Sequence, residues 1–382
     1  MLQPPQIIFM LRLNIDPSSS EDSPSPEPPS KRPRLLEPTP PNPSSYRIYS
    51  WNCDDITPYL PPPKVSNPIH SYFARVSPPP KASTSKPSTS RWTIRSILKE
   101  RNWPEFLCLQ EVKILPTDKS LLARARVAAS SDEDEGPEYT MYCTLPAIAK
   151  RASQNRRMYG VITYVRNDVA TQITTARGVD WDDEGRVLVL EMSGFAMINL
   201  YAVNGTDAQY IIRTTGETTG QTRHQRKRQF NHLLKRECLD LAARGYEICI
   251  VGDINISRTK IDSVPRLRSS ENHVLARKEF NEQFLPETGL VDVWRRRHGE
   301  DARGYTWYMR GAKVGTDCAR VDMILVSEGL YRRTREVEIE EWGGEACRSD
   351  HTLMWIQIDG MGQDKTSRDK RGLPAVLDVQ GE

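Results

Sequence analysis

The residues of this chain that could do chemistry stand at the ends of apolar runs. Tyr246–Ser257 reads YEICIVGDINIS, in which Ile248, Cys249, Ile250 and Val251 lead into Gly252, Asp253 and Asn255. A continuous apolar run closed by Gly and polar groups predicts a strand in a sheet covered on both faces. Strand side chains alternate, so Asp253 and Asn255 are expected on one face, an acid and an amide able to hold and activate a water. Asp-Ile-Asn could equally be an ordinary turn after a strand. Four other segments repeat the design. Tyr46–Asp54 (YRIYSWNCD) brings Asn52 and Asp54 to one face, Phe106–Glu111 (FLCLQE) ends in Glu111, Arg320–Ser327 (RVDMILVS) carries Asp322, and Cys347–Ile358 (CRSDHTLMWIQI) sets Asp350 and His351 before a final strand. Strand ends rich in Asp, Glu, Asn and His, without a cysteine ligand set, describe a site for a hard cation such as magnesium or manganese.

These pieces resemble the exonuclease III / apurinic-apyrimidinic endonuclease branch of the endonuclease–exonuclease–phosphatase (DNase I-like) superfamily. The matching stretches are SWNCD, LCLQEVK, YGVITYVRND, EGRVLVLEM, INLYAVNG, VGDINIS, RVDMILVS and RSDHTLM, in the family's order from Tyr46 to Asp359. GD-x-N, SDH and the Glu of LQE belong to the superfamily at large. Lys113 after LQE, the EGR-V stretch and R-x-D before an apolar strand tilt the resemblance towards DNA repair. It implies a four-layer α/β sandwich, two central mixed β-sheets flanked by helices. It also implies hydrolysis of a phosphodiester, by a nuclear, monomeric base-excision-repair endonuclease with 3′–5′ exonuclease or 3′-phosphodiesterase activity on DNA. Carried over residue by residue, the metal set is Asn52, Glu111, Asp253, Asn255, Asp350 and His351, with Asp54 as a further candidate. Asp253 orients or deprotonates water, Asn255 fixes its geometry, His351 held by Asp322 contacts the phosphate, and Tyr201 steadies the phosphate or the leaving oxygen.

Substrate contacts implied by the same resemblance are Asn204, Trp307 and Tyr308, with Arg295 and Arg296 of a basic run reaching phosphates. Tyr305-Thr306-Trp307-Tyr308 resembles the aromatic motif that lines the branch's abasic-sugar pocket. Two departures bear on selectivity: Ala319 stands where relatives often have Trp, and Asp207 where some place a basic residue. A superfamily phosphatase or an RNA deadenylase would use nearly the same catalytic set, so the substrate separates these alternatives. A binding protein without catalysis is a third reading, disfavoured because no acid is missing.

Composition sets the frame. Hydrophobic content is 37%, with 28 prolines and a formal net charge of +3. So small a charge makes phosphate affinity a matter of local clusters. Met1–Ser45 is rich in Pro, Ser and Glu and reads as a disordered tail. Its apolar run at Gln6–Leu13 lacks the basic start of a secretory signal, and Ser30–Leu35 (SKRPRL) suits nuclear import. No run is long enough to span a bilayer. Seven dispersed cysteines without a CxxC pair point to a reducing, intracellular compartment.

The folded domain is expected at residues 46–360. It is interrupted by a Pro/Ser-rich insertion at 58–90 and an acidic one at 130–138, and a disordered tail follows at 361–382. Trp92–Glu100 reads as a short helix. Gly160–Arg166, Arg186–Met192 and Phe195–Val203 read as strands, with Glu184-Gly185-Arg186 as the turn between two of them. Thr222–Arg244 reads as an amphipathic helix with Phe230, Leu233, Leu234, Cys238, Leu241 and Ala242 on its stripe, Gly245 after its end, and a basic start (RHQRKR) left to solvent or phosphates. Beyond it come a loop at Ile261–Arg268, a helix at Asn272–Phe284 and a strand at Leu290–Trp294.

Overall fold

The computed structural model describes residues 45–63, 92–130, 134–150, 159–341 and 348–361. The amino-terminal tail with its basic cluster, most of the 58–90 insertion, residues 131–133 of the acidic one, Cys347 and the chain after Met361 lie outside the described residues. Two six-stranded sheets form the body. In spatial order the first runs Thr334–Ile339, Met354–Ile358, Tyr46–Asn52, Phe106–Gln110, Val161–Arg166, Tyr139–Thr144. The second runs Leu290–Asp292, Asp322–Ser327, Glu247–Asp253, Phe195–Tyr201, Val187–Met192, Thr175–Arg177. Each is mixed in the same way: Tyr46–Asn52 runs parallel to Phe106–Gln110, and Glu247–Asp253 parallel to Phe195–Tyr201, while the other pairs are antiparallel.

Three cores separate four layers, as the sandwich reading requires. Ile48, Cys108, Val161, Met197, Val251, Ile324 and Ile356 fill the space between the sheets. The alternate residues face outwards. Trp51, Leu107 and Leu109 pack with Ile97 and Leu121 of the helices on one side, and Ile198, Leu200, Ile248 and Ile250 pack with Phe230, Leu234 and Leu241 on the other. This period-two division explains the near-continuous apolar strands, since both faces of each are buried. Between the sheets a polar bond crosses the apolar layer: the Gln110 side-chain amide donates to Asn199 Oδ1 at 2.8 Å, and Asn199 donates to Thr163 Oγ1 at 3.0 Å. It fixes the two sheets against one another just below the strand ends that carry the chemistry.

The long helix is Arg223–Ala243, with Thr222 and Gln225 forming a capping box at its start. Phe230, Leu234, Cys238 and Leu241 are buried as the periodicity predicts, whereas Ala242 is exposed. Its basic start is not solvated. His224, Arg226 and Lys227 are buried, and Arg226 donates to the Trp181 carbonyl at 2.6 Å. Other boundaries also move. Pro58–Leu60, read as the start of an insertion, belongs to the body, with Tyr59 fully buried 4.9 Å from the Trp51 ring. In the acidic loop, Asp134 is bound by Arg95. The helix expected over Asn272–Phe284 is Glu271–Glu279 followed by a π-turn at Phe280–Phe284. The Ile261–Arg268 loop contains a short strand, Ser263–Val264, which joins Cys318–Ala319 and Trp307–Tyr308 in a small third sheet. No helix among the described residues is long and apolar enough to cross a membrane.

Candidate active site

Two matched turns make the floor of the site. At the end of Glu247–Asp253, Asn255 adopts a left-handed backbone (φ 57°) and its N–H donates to Asp253 Oδ1 at 2.7 Å. At the end of Tyr46–Asn52, Asp54 does the same (φ 59°), its N–H donating to Asn52 Oδ1 at 3.1 Å. Asn and Asp tolerate this conformation better than other residues, which accounts for both choices. The acid–amide pairs predicted to share a face do meet, through a turn rather than through strand alternation. Asn52 and Asp253 then meet across the sheets: the Asn52 amide donates to Asp253 Oδ2 at 3.1 Å. Gly252 is needed here because its φ is 135° and a Cβ would stand 1.9 Å from the Leu200 carbonyl oxygen.

Register supplies the rest of the floor. Asp253 pairs with Tyr201 on one neighbouring strand and with Asp322 on the other, so all three project between the sheets in one row. His351 Nδ1 lies 2.7 Å from Asp322 Oδ2, and its Nε2 lies 3.4 Å from the Asn52 amide nitrogen. Burial disfavours charge on His351, but Asp322 and then Asp253 outweigh it and push its pKa up to about 10. That shift favours the imidazolium form, in which an oxygen beside Nε2 and the Asn52 amide would accept from two donors. Burial and the neighbouring Asp322 raise the Asp253 pKa against the pull of His351. A carboxylate poised upwards beside a cationic histidine is the environment of a general base.

A second group of acids forms the rim. Glu111 (φ 52°) is raised by burial, opposed by a hydrogen bond from Tyr201 and by Lys113. Lys113 Nζ lies 2.5 Å from Asp54 Oδ1 and 3.5 Å from Glu111 Oε2. Arg310 binds Asp54 and lies 3.5 Å from Asp350 Oδ1. Trp307 Nε1 donates to Asp350 Oδ2 at 3.1 Å, and Trp307 bridges to His351 through the backbone. Glu111, Asp350 and Asn52 offer hard oxygen donors, and two tethered cations already gather at this rim. The residues fit a divalent ion with oxygen ligands. Asp253, Asp322 and His351 also present ligand atoms within 4.8 Å of one another.

Floor and rim open into a cleft of about 500 Å³ that is also lined by the basic residues Lys227, Arg266, Arg268 and Arg277 beside His273. Lys227 donates to the Asn255 carbonyl at 2.7 Å, and burial together with Arg268 lowers its pKa to about 7. Of the expected substrate residues, Asn204 and Trp307 line the cleft with Ala319 and Val321. Tyr308 is not among the cleft's lining residues, and its hydroxyl donates to the Tyr305 carbonyl at 3.2 Å. Arg295 and Arg296 are corrections. They stand on the helix Val293–His298, where the expected strand has already ended at Asp292. Arg295 is buried, pairs with Asp262 at 2.5 Å and donates to the Gly299 and Ala302 carbonyls, while Arg296 pairs with Glu328 at 2.6 Å over the Tyr331 ring. Asp292 at the helix N-terminus, shared with Arg320 and Arg258, completes this structural charge cluster. The cations facing the cleft come instead from the long helix, from the loop after the Asp253 strand and from the helix Glu271–Glu279. The buried part of RHQRKR was their one visible sign.

Glu184 and Arg186, read from sequence as a turn, support the floor. Arg186 donates to the Tyr201 and Ala202 carbonyls at 3.1 and 3.3 Å and lies over the rings of Tyr159 and Tyr201. Glu184 accepts from Arg186 Nε at 2.7 Å and from Arg223 at 2.6 Å. Burial alone would raise its pKa, but the two arginines hold it at about 2.

Paired mixed sheets that bring a buried carboxylate, a histidine–aspartate pair and an acidic rim to one cleft are the arrangement of a hydrolase of phosphoric esters. The chain matches the Endonuclease/Exonuclease/phosphatase family over residues 49–351 and belongs to it. Among curated relatives, it is 23% identical over 182 residues to an exodeoxyribonuclease of Streptococcus pneumoniae, covering 47% of this chain and 60% of that one. It is 27% identical over 180 residues to Recombination repair protein 1 of Drosophila melanogaster, covering 46% of this chain and 24% of that protein. The match thus spans less than two thirds of either relative. The fold is shared with the 3′ phosphatase NExo from Neisseria, solved with a product DNA hairpin (TM-score 0.52, 20% identity, 82% of this chain and 99% of that one). It is shared also with the AP endonuclease LMAP from Leishmania major (TM-score 0.53, 16% identity, 83% and 88%).

Proposed function

We propose that the chain is a magnesium-dependent phosphodiester hydrolase of DNA, with manganese as a substitute ion. It cuts 5′ to abasic sites in duplex DNA during base excision repair and trims 3′ ends more weakly. The observation that carries the reading is the meeting of Asn52, Asp253 and the Asp322–His351 pair at the cleft floor. Glu111, Asn52 and Asp350 would hold the ion, which when bound neutralises charge on the phosphate. Asp253 takes a proton from the attacking water, its carboxylate fixed by the Asn255 N–H and amide. His351, charged through Asp322, donates to a phosphate oxygen and stabilises the charge that develops there. Tyr201, held by Arg186 from behind, faces Glu111 and steadies the phosphate or the leaving oxygen. Lys227, Arg266, Arg268 and Arg277 attract neighbouring backbone phosphates, a contribution that weakens with salt and ignores sequence.

The similar proteins, an exodeoxyribonuclease, a 3′ phosphatase and an AP endonuclease, support a nucleic-acid substrate. Abasic selectivity rests on a wall made by Trp307 and Val321, thinned at Ala319. A baseless sugar is the cheapest to flip into such a pocket. The protein acts as a monomer in the nucleus, directed there by Lys31-Arg32-Pro33-Arg34. Removing those residues is expected to shift a tagged chain to the cytoplasm, and unchanged nuclear accumulation would refute the import role. The substrate test incubates the purified chain with a labelled abasic duplex, a poly(A) strand and an inositol phosphate, with and without EDTA. EDTA-sensitive incision of the abasic duplex is the expected result. Turnover of poly(A) or inositol phosphate alone keeps the chemistry and overturns the repair assignment.

A further inference from the structure

Arg310 sits on the loop between Trp307–Tyr308 and Cys318–Ala319, and its side chain is 56% exposed. An exposed arginine ordinarily extends into solvent to keep its rotamer freedom. This one folds back over the cleft rim and touches three groups from two separate segments. Its Nη2 binds the Asp54 carboxylate, lies 3.5 Å from Asp350 Oδ1 and donates to the Arg348 carbonyl at 3.2 Å. The two carboxylates are far apart in sequence but flank neighbouring antiparallel strands of one sheet, Asp54 after the first strand and Asp350 before the last. Asp54 is also bound by Lys113, so two tethered cations face the acids that would receive an ion. Lys113 is half-buried and reaches Glu111 as well, whereas Arg310 stands on an exposed loop and, among the described residues, is held at its guanidinium tip.

We propose that Arg310 is a tethered counter-cation of the metal rim: it bridges Asp54 and Asp350 while no divalent ion is present, and an arriving ion displaces it towards the substrate's phosphates. The inference rests on the metal-dependent reading of the same site. It makes two demands on one side chain. In the free protein the guanidinium competes with the ion for the rim. In the substrate complex the freed guanidinium stands beside a cleft that receives polyanion, so it adds to phosphate binding. A positive charge about 6 Å from a divalent ion in water-like surroundings changes its affinity on the order of tenfold. Bulk salt removes that difference, because the screening length falls to about 3 Å at about 1 M.

The test measures Mn²⁺ binding to the full chain without substrate, by the electron paramagnetic resonance signal of free Mn²⁺. The proteins are the parent, Arg310→Gln, Arg310→Lys and Lys313→Gln, a neutralisation on the same loop. Arg310→Gln is expected to bind Mn²⁺ about tenfold more tightly at low salt, with the gap closing at about 1 M KCl. Arg310→Lys and Lys313→Gln are expected within about threefold of the parent, because each keeps a cation at the rim. At saturating Mn²⁺, Arg310→Gln should raise KM for a duplex oligonucleotide several-fold with kcat nearly unchanged. Unaltered Mn²⁺ affinity in Arg310→Gln overturns the proposal. So does equal tightening in Lys313→Gln, which would make the effect one of net charge, or a gap that persists at high salt. A parent that binds no Mn²⁺ overturns the metal-dependent reading, and this inference with it.

Discussion

The two turns at the cleft floor are the same structure with the residues exchanged. In both, a strand-end side chain accepts from the N–H two residues on, and that later residue is left-handed. The half around Tyr46–Asn52 puts the amide at the strand end and the acid in the turn, while the half around Glu247–Asp253 does the reverse. Position decides what each acid becomes. Asp253, at the strand end, is 2% exposed, and burial with Asp322 for a neighbour raises its pKa. Asp54, one turn out, is half-buried, and Lys113 and Arg310 hold its pKa down against the effect of burial. One scaffold thus holds a buried carboxylate with a raised pKa on one side and a carboxylate bound by two cations on the other. The hydrogen bond from Asn52 to Asp253 couples them.

Removing the acid from the buried half should have the largest effect. Asp253→Asn leaves an isosteric amide at the strand end and is expected to slow single-turnover cleavage by about 10²–10⁴. Duplex binding, followed by fluorescence anisotropy, should hold or improve as a negative charge leaves the cleft. Binding that falls in step with the rate would make Asp253 a structural residue and break the contrast between the two turns.

The support behind the buried half comes next. Glu184 has a folded pKa of about 2 against an ordinary carboxylate value of 4.5. Its ion pairs therefore stabilise the fold fully above about pH 4.5, and that stabilisation is lost as pH falls towards about 2. A depression of this size corresponds to roughly 3 kcal/mol, so Glu184→Gln should destabilise the protein by about that much in urea at pH 7. The difference from the parent should shrink below about pH 4.5. A constant difference down to pH 3 would assign the loss to packing rather than to charge.

On the rim the expected effect is smaller and concerns the ion. Glu111→Gln should raise the Mn²⁺ concentration needed for half-maximal activity by about 10–100-fold, the range seen even for partners behind metal ligands. Melting temperature should change little, because burial strains the charged carboxylate more than it would an amide. An unchanged metal requirement would remove Glu111 from the site and leave the rim to Asp54 and Asp350.

Much of this was legible in the sequence. Apolar strands buried on both faces announce themselves, and their polar ends pointed to Asn52, Glu111, Asp253, Asp322 and His351, while Tyr201 came from the family resemblance. Strand register then did the rest, setting Tyr201, Asp253 and Asp322 side by side. The charged partners were not legible, because arginine and lysine look alike in sequence whether solvated or buried. Arg295 and Arg296 read as phosphate contacts and proved to be held by Asp262, backbone carbonyls and Glu328. Lys227 read as part of a basic run left to solvent or phosphates, and it lines the cleft. Arg310 and Lys113 meet Asp54 from segments far away in the chain, and only the closed sandwich brings them there.

Trp307 gives the smallest effect and the finest cut between floor and rim. The sequence made it a wall of the sugar pocket, but the structure gives it a second role. Its indole N–H donates to Asp350 at 3.1 Å, and its backbone bridges to His351. A wall works through the ring's bulk and a clamp through the N–H, and two substitutions separate them. Trp307→Ala removes both, so it should lower kcat/KM on abasic DNA about five- to tenfold more than on intact duplex, as expected when about 1 kcal/mol of pocket contact is lost. Trp307→Phe keeps most of the ring and deletes only the donor. It should preserve the ratio between the two substrates, yet raise the metal requirement a few-fold, because Asp350 loses one of the hydrogen bonds that orient it. If Trp307→Ala reduces both substrates equally, the ring is ordinary packing and the pocket lies elsewhere along the cleft. If Trp307→Phe instead loses selectivity with an unchanged metal requirement, the indole N–H serves the sugar side and does not set Asp350 for the ion.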